Sequence, residues 1–317
     1  MKSFVFLWSI GFAFLAGCNQ QTADNNTAGN EMKKETIPCP PASKLDIQKI
    51  EEATGMKGME KNGEYKITVP QNDLSIIVDG FKIIPPMGLG SWVAFTPCAD
   101  SAMVMGDIIV TENDLKPVQE EVIRQGFAIT AIHNHFVRNR PNVMYMHIDG
   151  KGKVANLSVS VKAIFDKVKE SRGKDPKSSP ADSVSNSLNI ALLDSIIGHK
   201  GEMNKGVYKY TIGRPDVSLR EHGMAVSSFM GFNTWAAWQG TDEKAAVAGD
   251  FAMLEDEVAP VIKALVENGI EVVAVHNHMV HEEPRIFFLH YWGVGPIDRL
   301  ANGFKAALNK TGKGATQ

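Results

Sequence analysis

The chain has 317 residues, of which 44% are hydrophobic, and a formal net charge of −3. That length and apolar content are enough for two domains with cores of their own. A near-neutral charge without a basic stripe argues against nucleic acid as a partner. The chain also lacks a glycine-rich phosphate loop and a dinucleotide-binding fingerprint after its first strand, which argues against a nucleotide.

The first residues, MKSFVFLWSIGFAFLAGC, have the architecture of a secretory signal peptide. A basic start at Lys2 precedes an apolar run that is too short for a stable membrane span. Residues 15–18, LAGC, fit a bacterial lipobox, so we expect a lipoprotein signal peptide over residues 1–17 and a lipid on Cys18 that anchors the exported protein to the cell envelope. Asn19 favours the outer membrane in a host that has one. An ordinary cleaved signal peptide is the alternative.

Residues 18–42 are rich in Asn, Thr and Pro and poor in large apolar side chains, so we expect a flexible tether. Only Cys39 and Cys98 remain after lipidation of Cys18. Disulfides persist outside the cytoplasm, so these two cysteines can pair. Metal ligation by their thiolates is the weaker alternative because neither lies near the histidines in sequence.

The rest of the chain is a tandem duplication. The HNH triplet at 133–135 and His147 recur 143 positions later, at 276–278 and His290. The same offset relates glycines, prolines and aromatic residues along the whole repeat without a gap. The chain therefore folds as two pseudo-symmetric copies of one unit.

Each repeat, residues 43–170 and 186–313 around a polar linker at 171–185, has the same order of predicted elements. In the first repeat an amphipathic helix closes at Gly55, as a glycine C-cap requires. Alternating apolar and polar residues then predict antiparallel strands. A helix, a strand, a short loop, a return strand and a final helix from Val154 follow. The fold class is α+β, with two tandem pseudo-symmetric repeats, each a small antiparallel meander plus a βαββα unit.

Three histidines of each repeat are expected to share one face of the sheet. Side chains two residues apart in a strand point the same way, so His133 and His135 share a face. If the return strand pairs symmetrically, Ala131 lies opposite His147 and His133 lies opposite Tyr145. The equivalent expectations in the second repeat are a shared face for His276 and His278, Ala274 opposite His290, and His276 opposite Phe288.

Three converging imidazoles with an open fourth position are typical of a divalent transition-metal site, with zinc among the candidates. The stronger site is expected in the second repeat, at His276, His278 and His290. A lesser or altered site is expected in the first repeat, at His133, His135 and His147. Two alternatives stay open. One is a metal-free polar or catalytic pocket, and the other is a set of structural histidines at the seam between the domains.

The loop between the two histidine-bearing strands changes charge between the repeats. Arg138 and Arg140 stand where the second repeat has His281 and Glu283. Glu282 or Glu283 is the expected general base on a metal-bound water. The residues expected to contact an anionic ligand are Arg138, Arg140, Arg285 and His281. The alternative is that these loops form ordinary surface salt bridges or contact one another across the pseudo-twofold axis.

Two further pairs of equivalent residues are expected to be structural. Asp107 and Asp250 each follow a glycine and are predicted to lie at a turn. Trp92 and Trp235 each lie in an apolar strand and are predicted to fill the two cores rather than bind a sugar.

The stretch HNHMVHEEPRIFFLHYWG, its partner HNHFVRNRPNVMYMHIDG, the duplication and the lipobox together resemble the LppY/LpqO-type bacterial lipoproteins. The resemblance covers about Ser43 to Thr311. It implies a cell-envelope location and no particular activity. The first repeat departs from the fuller pattern at Ile148 and Asp149, where the second has Tyr291 and Trp292.

These features predict a lipid-anchored cell-envelope protein with a His-rich site for a divalent metal. Two functions fit, and the sequence leaves open whether the protein is an enzyme. The first is metal-assisted hydrolysis of an envelope ester, amide or phosphate. The second is non-catalytic capture of an anionic envelope ligand in a polar His/Arg pocket. The expected partners are the membrane, through Cys18, and an envelope ligand.

Overall fold

The computed structural model describes residues 44–173 and 184–312. The expected signal peptide, the expected lipidation site at Cys18, the expected tether with Cys39 and most of the linker lie outside the described residues. Cys98 is disulfide-bonded. Within the described ranges, no helix is long and apolar enough to cross a membrane.

The first repeat begins with a short helix and four strands. These elements are α1 (Ile47–Thr54), β1 (Met59–Lys61), β2 (Glu64–Pro70), β3 (Ile76–Val78) and β4 (Phe81–Ile83). A 3-10 turn (Pro85–Met87) leads to β5 (Gly90–Cys98), β6 (Ser101–Thr111), α2 (Leu115–Arg124), β7 (Ala128–His133), β8 (Val143–Gly152) and α3 (Val154–Arg172).

The second repeat has the same elements in the same order. They are α4 (Ile190–Ile197), β9 (Glu202–Asn204), β10 (Val207–Gly213), β11 (Arg220–Glu221) and β12 (Met224–Ala225). A 3-10 turn (Ser228–Met230) leads to β13 (Asn233–Gly240), β14 (Ala245–Met253), α5 (Glu255–Glu267), β15 (Glu271–His276), β16 (Phe287–Gly295) and α6 (Ile297–Leu308).

Each repeat forms one six-stranded antiparallel sheet. The strand order is β1-β2-β5-β6-β8-β7 in the first repeat and β9-β10-β13-β14-β16-β15 in the second. The predicted α+β class with two tandem repeats is confirmed. The order follows from the chain: a hairpin joins β7 to β8, and β8 returns beside β6, so β7 is left at the edge.

The first helix of each repeat has the local signals that the sequence suggested. The Asp46 side chain accepts a hydrogen bond from the backbone N–H of Lys49, and Gly55 ends the helix in the left-handed region at φ 69°. Asn189 and Gly198 cap α4 in the same way, with Gly198 at φ 76°. A residue with a Cβ would be strained at these two C-terminal positions.

The two faces of each sheet have different partners because side chains alternate along a strand. In β6, Val104 and Ile108 face the helices of their own repeat. They lie in one apolar cluster with Val118 of α2 and Val161 of α3. Met103 lies on the opposite face, in a cluster that includes residues of the second repeat. The described chain is therefore built in four layers: helices, sheet, sheet and helices.

Two apolar clusters join the inner faces of the sheets. One contains Ile109 and Tyr145 of the first repeat with Ala246 and Trp292 of the second. The other contains residues of both repeats in the same way: Ala94, Met103 and Met105 with Met230, Ala252 and Phe288. Burial of these clusters holds the repeats together.

The predicted turn at Gly106–Asp107 is wrong, because both residues lie within β6. The equivalent residues Gly249 and Asp250 lie within β14. The glycine serves close packing: a Cβ on Gly106 would lie 2.7 Å from the backbone oxygen of Trp92 on the neighbouring strand. The aspartates are thus held on the inner face of the sheet.

Replacing Phe136 by alanine should destabilise the interface between the repeats. Phe136 is fully buried and makes an edge contact with Trp292, with ring centroids 5.4 Å apart. The expected loss in the free energy of unfolding is about 3–5 kcal/mol. Urea unfolding measures it, with Ile123→Ala as the control because Ile123 is 60% exposed. A loss at Phe136 as small as that at Ile123 would contradict the layered interface.

Candidate functional site

The first repeat presents its three histidines in the predicted register. Ala131 pairs with His147, and His133 pairs with Tyr145, across β7 and β8. His135 follows the end of β7 and stacks on Tyr145, with ring centroids 3.3 Å apart. This part of the sequence-based geometry is confirmed.

The second repeat has the same arrangement. Ala274 pairs with His290, and His276 pairs with Phe288, across β15 and β16. His278 stacks on Phe288 with ring centroids 3.5 Å apart. Both sets of histidines lie on the inner faces of the two sheets.

The six rings meet in one cluster instead of two separate sites. His133 stacks on its own equivalent, His276, with ring centroids 3.7 Å apart. The ring centroids of His135 and His290 lie 3.7 Å apart. Those of the equivalent pair, His147 and His278, lie 4.0 Å apart. These matched pairs are related by a pseudo-twofold axis through the stack. The strand pattern predicts which face each histidine occupies, whereas docking of the two faces decides which rings meet.

Most ring nitrogens of this histidine cluster are buried and have no hydrogen-bond partner. Eight of them are in this state: Nδ1 and Nε2 of His133, His135 and His276, and Nε2 of His147 and His290. The rings are 2–9% exposed. A buried polar atom without a partner costs about 1–3 kcal/mol, so the metal-free cluster carries a large unfavourable term.

Two of the rings are oriented by backbone carbonyl groups. His290 Nδ1 lies 2.9 Å from the oxygen of Gly249, and His147 Nδ1 lies 3.3 Å from the oxygen of Gly106. With Nδ1–H donating to the carbonyl, Nε2 is the unprotonated nitrogen and points into the cluster. Metal-binding histidines are commonly held in one tautomer in this way.

Asp107 and Asp250 lie beside the histidine cluster. They pair in register with His147 and His290 on the neighbouring strands. Asp250 Oδ2 lies 3.4 Å from His278 Nε2. Burial, reinforced by the charge of Asp250, raises the pKa of Asp107 to about 8. Burial also raises the pKa of Asp250 to about 6.

The imidazoles of the histidine cluster are neutral at physiological pH. Burial lowers the pKa of His133, His278 and His290 to about 3. It also lowers the pKa values of His135, His147 and His276 well below the ordinary range, because the charged form would be desolvated among other rings. Neutral imidazole is the form that binds a metal ion.

Three groups of ligand atoms in this cluster are close enough to hold an ion. In each group the atoms lie within 4.8 Å of one another. The groups are His133, His276 and His290; His147, His276 and His278; and Asp107, His133 and His147. The two all-histidine groups combine residues of both repeats.

A cavity of about 380 Å³ opens beside the histidine cluster. Its walls come from equivalent positions of the two repeats. They include His135, His147, His278 and His290, with Asp107, Asp250, Trp92, Trp235, Lys66 and Lys209. The cavity therefore lies along the same pseudo-twofold axis as the rings.

Lys66 and Lys209 give the cavity two cationic groups. The Nζ atom of Lys66 lies 3.9 Å from the centre of the Trp92 ring, and that of Lys209 lies 4.1 Å from the Trp235 ring. Burial lowers the pKa of each lysine to about 8. Trp92 and Trp235 are half-buried and line the cavity, so the prediction that they serve only to fill the cores is incomplete.

The predicted arginines are occupied elsewhere. Arg138 forms two ion pairs. Its Nε atom lies 2.9 Å from Asp79 Oδ1, and its Nη2 atom lies 2.7 Å from Glu271 Oε2. Arg140 is exposed and donates to the backbone oxygen of Asn139. Arg285 pairs with Glu282 at 3.1 Å. None of these arginines lines the cavity.

The predicted catalytic carboxylates do not reach the histidine cluster either. Glu282 is buried and accepts a hydrogen bond from the backbone N–H of Ile286. Glu283 is exposed, and its backbone pairs with Arg220. His281 is exposed and lies beside His222, with ring centroids 5.2 Å apart. These residues gather at a different place between the repeats.

Comparison with protein families decides the relationship of the chain. The model described as Domain of Unknown Function (DUF1259) matches residues 48–167 and again residues 191–310. The chain belongs to the DUF1259 family. Both DUF1259 matches contain the complete set of three histidines, so the histidine cluster is made from two copies of the family domain.

Comparisons with other known proteins add little to the DUF1259 assignment. No curated protein sequence matches the chain. EtuB from Clostridium kluyveri is 7% identical over 81% of this chain and 90% of that chain, with a TM-score of 0.19. The trimeric bacterial microcompartment shell protein PduB is 9% identical over 80% of this chain and 89% of that chain, also with a TM-score of 0.19. Scores this low establish no shared function.

Proposed function

We propose that this protein binds divalent transition-metal ions in the histidine cluster between its two repeats and acts there on a small anionic ligand. The observation that carries the proposal is the set of eight buried imidazole nitrogens without partners. A metal ion bonded to one nitrogen of each of three rings removes the cost of leaving those nitrogens unpaired.

The donor atoms indicate the class of metal. The two all-histidine groups offer neutral nitrogen ligands, which suit zinc, copper, nickel and iron rather than calcium or magnesium. His276 belongs to both of these groups, and His133 belongs to one of them and to the group with Asp107. Because the groups share members, they cannot all be filled at once.

The lysine charges at the cavity wall favour an anionic ligand. Lys66 and Lys209 are protonated at neutral pH, and both stand at the cavity wall beside the histidine cluster. The Lys66 ammonium also donates to the backbone oxygen of Phe229, which fixes its position. A carboxylate or phosphate group held by the two lysines lies next to the imidazoles, so these lysines replace the arginines predicted from sequence.

Hydrolysis is the chemistry that this arrangement serves best. A metal ion of this class supplies an acidified water and polarises a carbonyl or phosphoryl oxygen. Asp107 and Asp250, which are buried beside the imidazoles, are the carboxylates that would accept and return a proton there. They take the general-base role that the sequence had suggested for Glu282 or Glu283.

We also propose that the protein is a lipid-anchored cell-envelope protein of the LppY/LpqO type. The lipobox at residues 15–18 and the resemblance of the histidine stretches support this. The disulfide at Cys98 agrees with an exported protein. The anionic ligand is then a component of the envelope, bearing an ester, amide or phosphate bond.

Replacing either central histidine should weaken metal binding. His133→Ala and His276→Ala each remove a ligand from two candidate groups, so each should lower affinity by at least about tenfold. Elemental analysis after zinc loading and dialysis against a weak chelator measures the loss. His199→Ala is the control, because His199 is exposed and outside the cluster. Wild-type protein that retains no transition metal would refute the metal centre.

Anion binding should depend on both lysines and fall at alkaline pH. Lys66→Met and Lys209→Met keep apolar stems but remove the charges, so each should weaken binding of inorganic phosphate to the metal-loaded protein by about tenfold or more. Wild-type affinity should fall as the pH rises from 7 to 9, because the ammonium groups lose their protons near pH 8. Calorimetry measures both effects.

The exposed residue Lys200 provides the matched control for anion binding, as Lys200→Met makes the same chemical change away from the cavity. Equal phosphate affinity in the wild type and in the Lys66→Met/Lys209→Met double variant would remove the lysines from the site.

Replacing Cys18 by serine should abolish lipidation. The lipobox sulfur is the atom that carries the lipid, so the wild type should partition into detergent with acyl groups, whereas the intact mass of the variant should lack the acyl groups and still include residues 1–17. The same protein with Cys39→Ser should still partition into detergent. Lipid on the Cys18→Ser protein would contradict the proposed anchor.

A further inference from the structure

Another group of buried charged residues lies between the repeats, apart from the histidine cluster. We define it as the acidic cluster: Asp149, Glu221, His222 and Glu282. Asp149 comes from β8 of the first repeat, and Glu221 ends β11 of the second. His222 stands in the turn after β11, and Glu282 in the loop between β15 and β16.

The carboxylates of the acidic cluster are buried with little compensation. Asp149 is 5%, Glu221 0% and Glu282 7% exposed. Four of their oxygens have no hydrogen-bond partner: Oδ1 of Asp149, both oxygens of Glu221, and Oε2 of Glu282. Burying an ionised carboxylate without a partner is strongly unfavourable, and here three carboxyl groups share one site.

The contacts that do exist are too few to neutralise this charge. His222 Nε2 lies 2.8 Å from Asp149 Oδ2 and 3.5 Å from Glu221 Oε1. Arg285 pairs with the other oxygen of Glu282, at 3.1 Å, and is itself half exposed. Glu221 has no arginine or lysine among its ion pairs within the described residues.

The pseudo-twofold axis provides an internal comparison. The equivalents of Glu221, His222 and Asp149 on the other side are Val78, Asp79 and Trp292. There Asp79 accepts a hydrogen bond from Trp292 Nε1 at 2.9 Å and pairs with Arg138.

The equivalent of Glu282 on that side is Asn139, whose amide donates to the backbone oxygen of Val143 at 3.1 Å. The same backbone framework there holds one apolar residue, one tryptophan, one asparagine and one ion pair, with Oδ1 of Asn139 as the buried oxygen that lacks a partner. Nothing in the fold demands three carboxylates, so the acidic cluster needs another explanation.

We propose that the acidic cluster is a second divalent-cation site, with Asp149, Glu221 and His222 as ligands and Glu282 beside them. One ligand atom from each of the three lies within 4.8 Å of the others. Ligands at about 2.0–2.2 Å from one ion lie at most about 4.4 Å apart, so a small inward movement closes the shell.

The mixture of carboxylate oxygens and imidazole nitrogen favours manganese or zinc over calcium or magnesium. His222 has a side chain that is 29% exposed, which gives the ion a path from solvent. Because Asp149 belongs to one repeat and the other ligands to the second, the bound cation is a cross-link between the repeats. This site stands independently of any activity at the histidine cluster.

The experiment compares manganese binding by the full chain and by Glu221→Gln. Titration followed by the paramagnetic signal of free Mn²⁺ should show one site fewer, or one site at least about tenfold weaker, in Glu221→Gln. Glu283→Gln makes the same change at an exposed neighbouring residue and should bind like the wild type. Manganese should also raise the melting temperature of the wild type more than that of Glu221→Gln.

The His133→Ala/His276→Ala double variant separates the two proposals. This double variant should lose metal at the histidine cluster and still bind one Mn²⁺. Adding Glu221→Gln to the double variant should remove that Mn²⁺. Metal-free Glu221→Gln should be at least as stable as the wild type, since it removes a buried carboxyl group that has no arginine or lysine partner among the described residues. Asp149→Asn provides a second variant at the same site. Manganese binding by Glu221→Gln and Asp149→Asn that equals the wild type would overturn the second site, whatever happens at the histidines.

Discussion

The structure depends on the face-to-face docking of two sheets whose inner surfaces are polar at the centre and apolar on either side. Two apolar clusters shared between the repeats flank the stack of His133 on His276. Those clusters bury the rings between them, and this burial sets the chemistry of the histidine cluster. Burial keeps the imidazoles neutral and raises the pKa of the neighbouring aspartates. It also leaves buried ring nitrogens without hydrogen-bond partners.

Sequence periodicity was sufficient for the local geometry of the site. A period of two assigns His133 and His135 to one face, and the short hairpin brings His147 opposite Ala131, as the structure confirms. It was not sufficient for the assembly of the site. Which rings meet depends on how two equivalent faces dock, and no local pattern within one repeat contains that information.

Other residues that line the cavity were missed although the sequence held a signal for them. Lys66 and Lys209 occupy equivalent positions in the strands YKITVP and YKYTIG, where each is the only charged residue of an otherwise largely apolar run. Asp107 and Asp250 were assigned to a turn because each follows a glycine. In a strand a glycine can instead mark a close approach by the neighbouring backbone, which is its role at Gly106.

The stack of His133 on its own equivalent has a consequence for the ancestry of the molecule. A contact in which a residue meets its own counterpart is isologous, the kind that a symmetric homodimer makes. A single ancestral repeat that dimerised through the same face would already have assembled six histidines around a twofold axis. Joining the two copies in one chain freed each side of the axis to change separately. One side now holds Asp79, Arg138 and Trp292, while the other holds a group of buried acids, a difference that no true homodimer can encode.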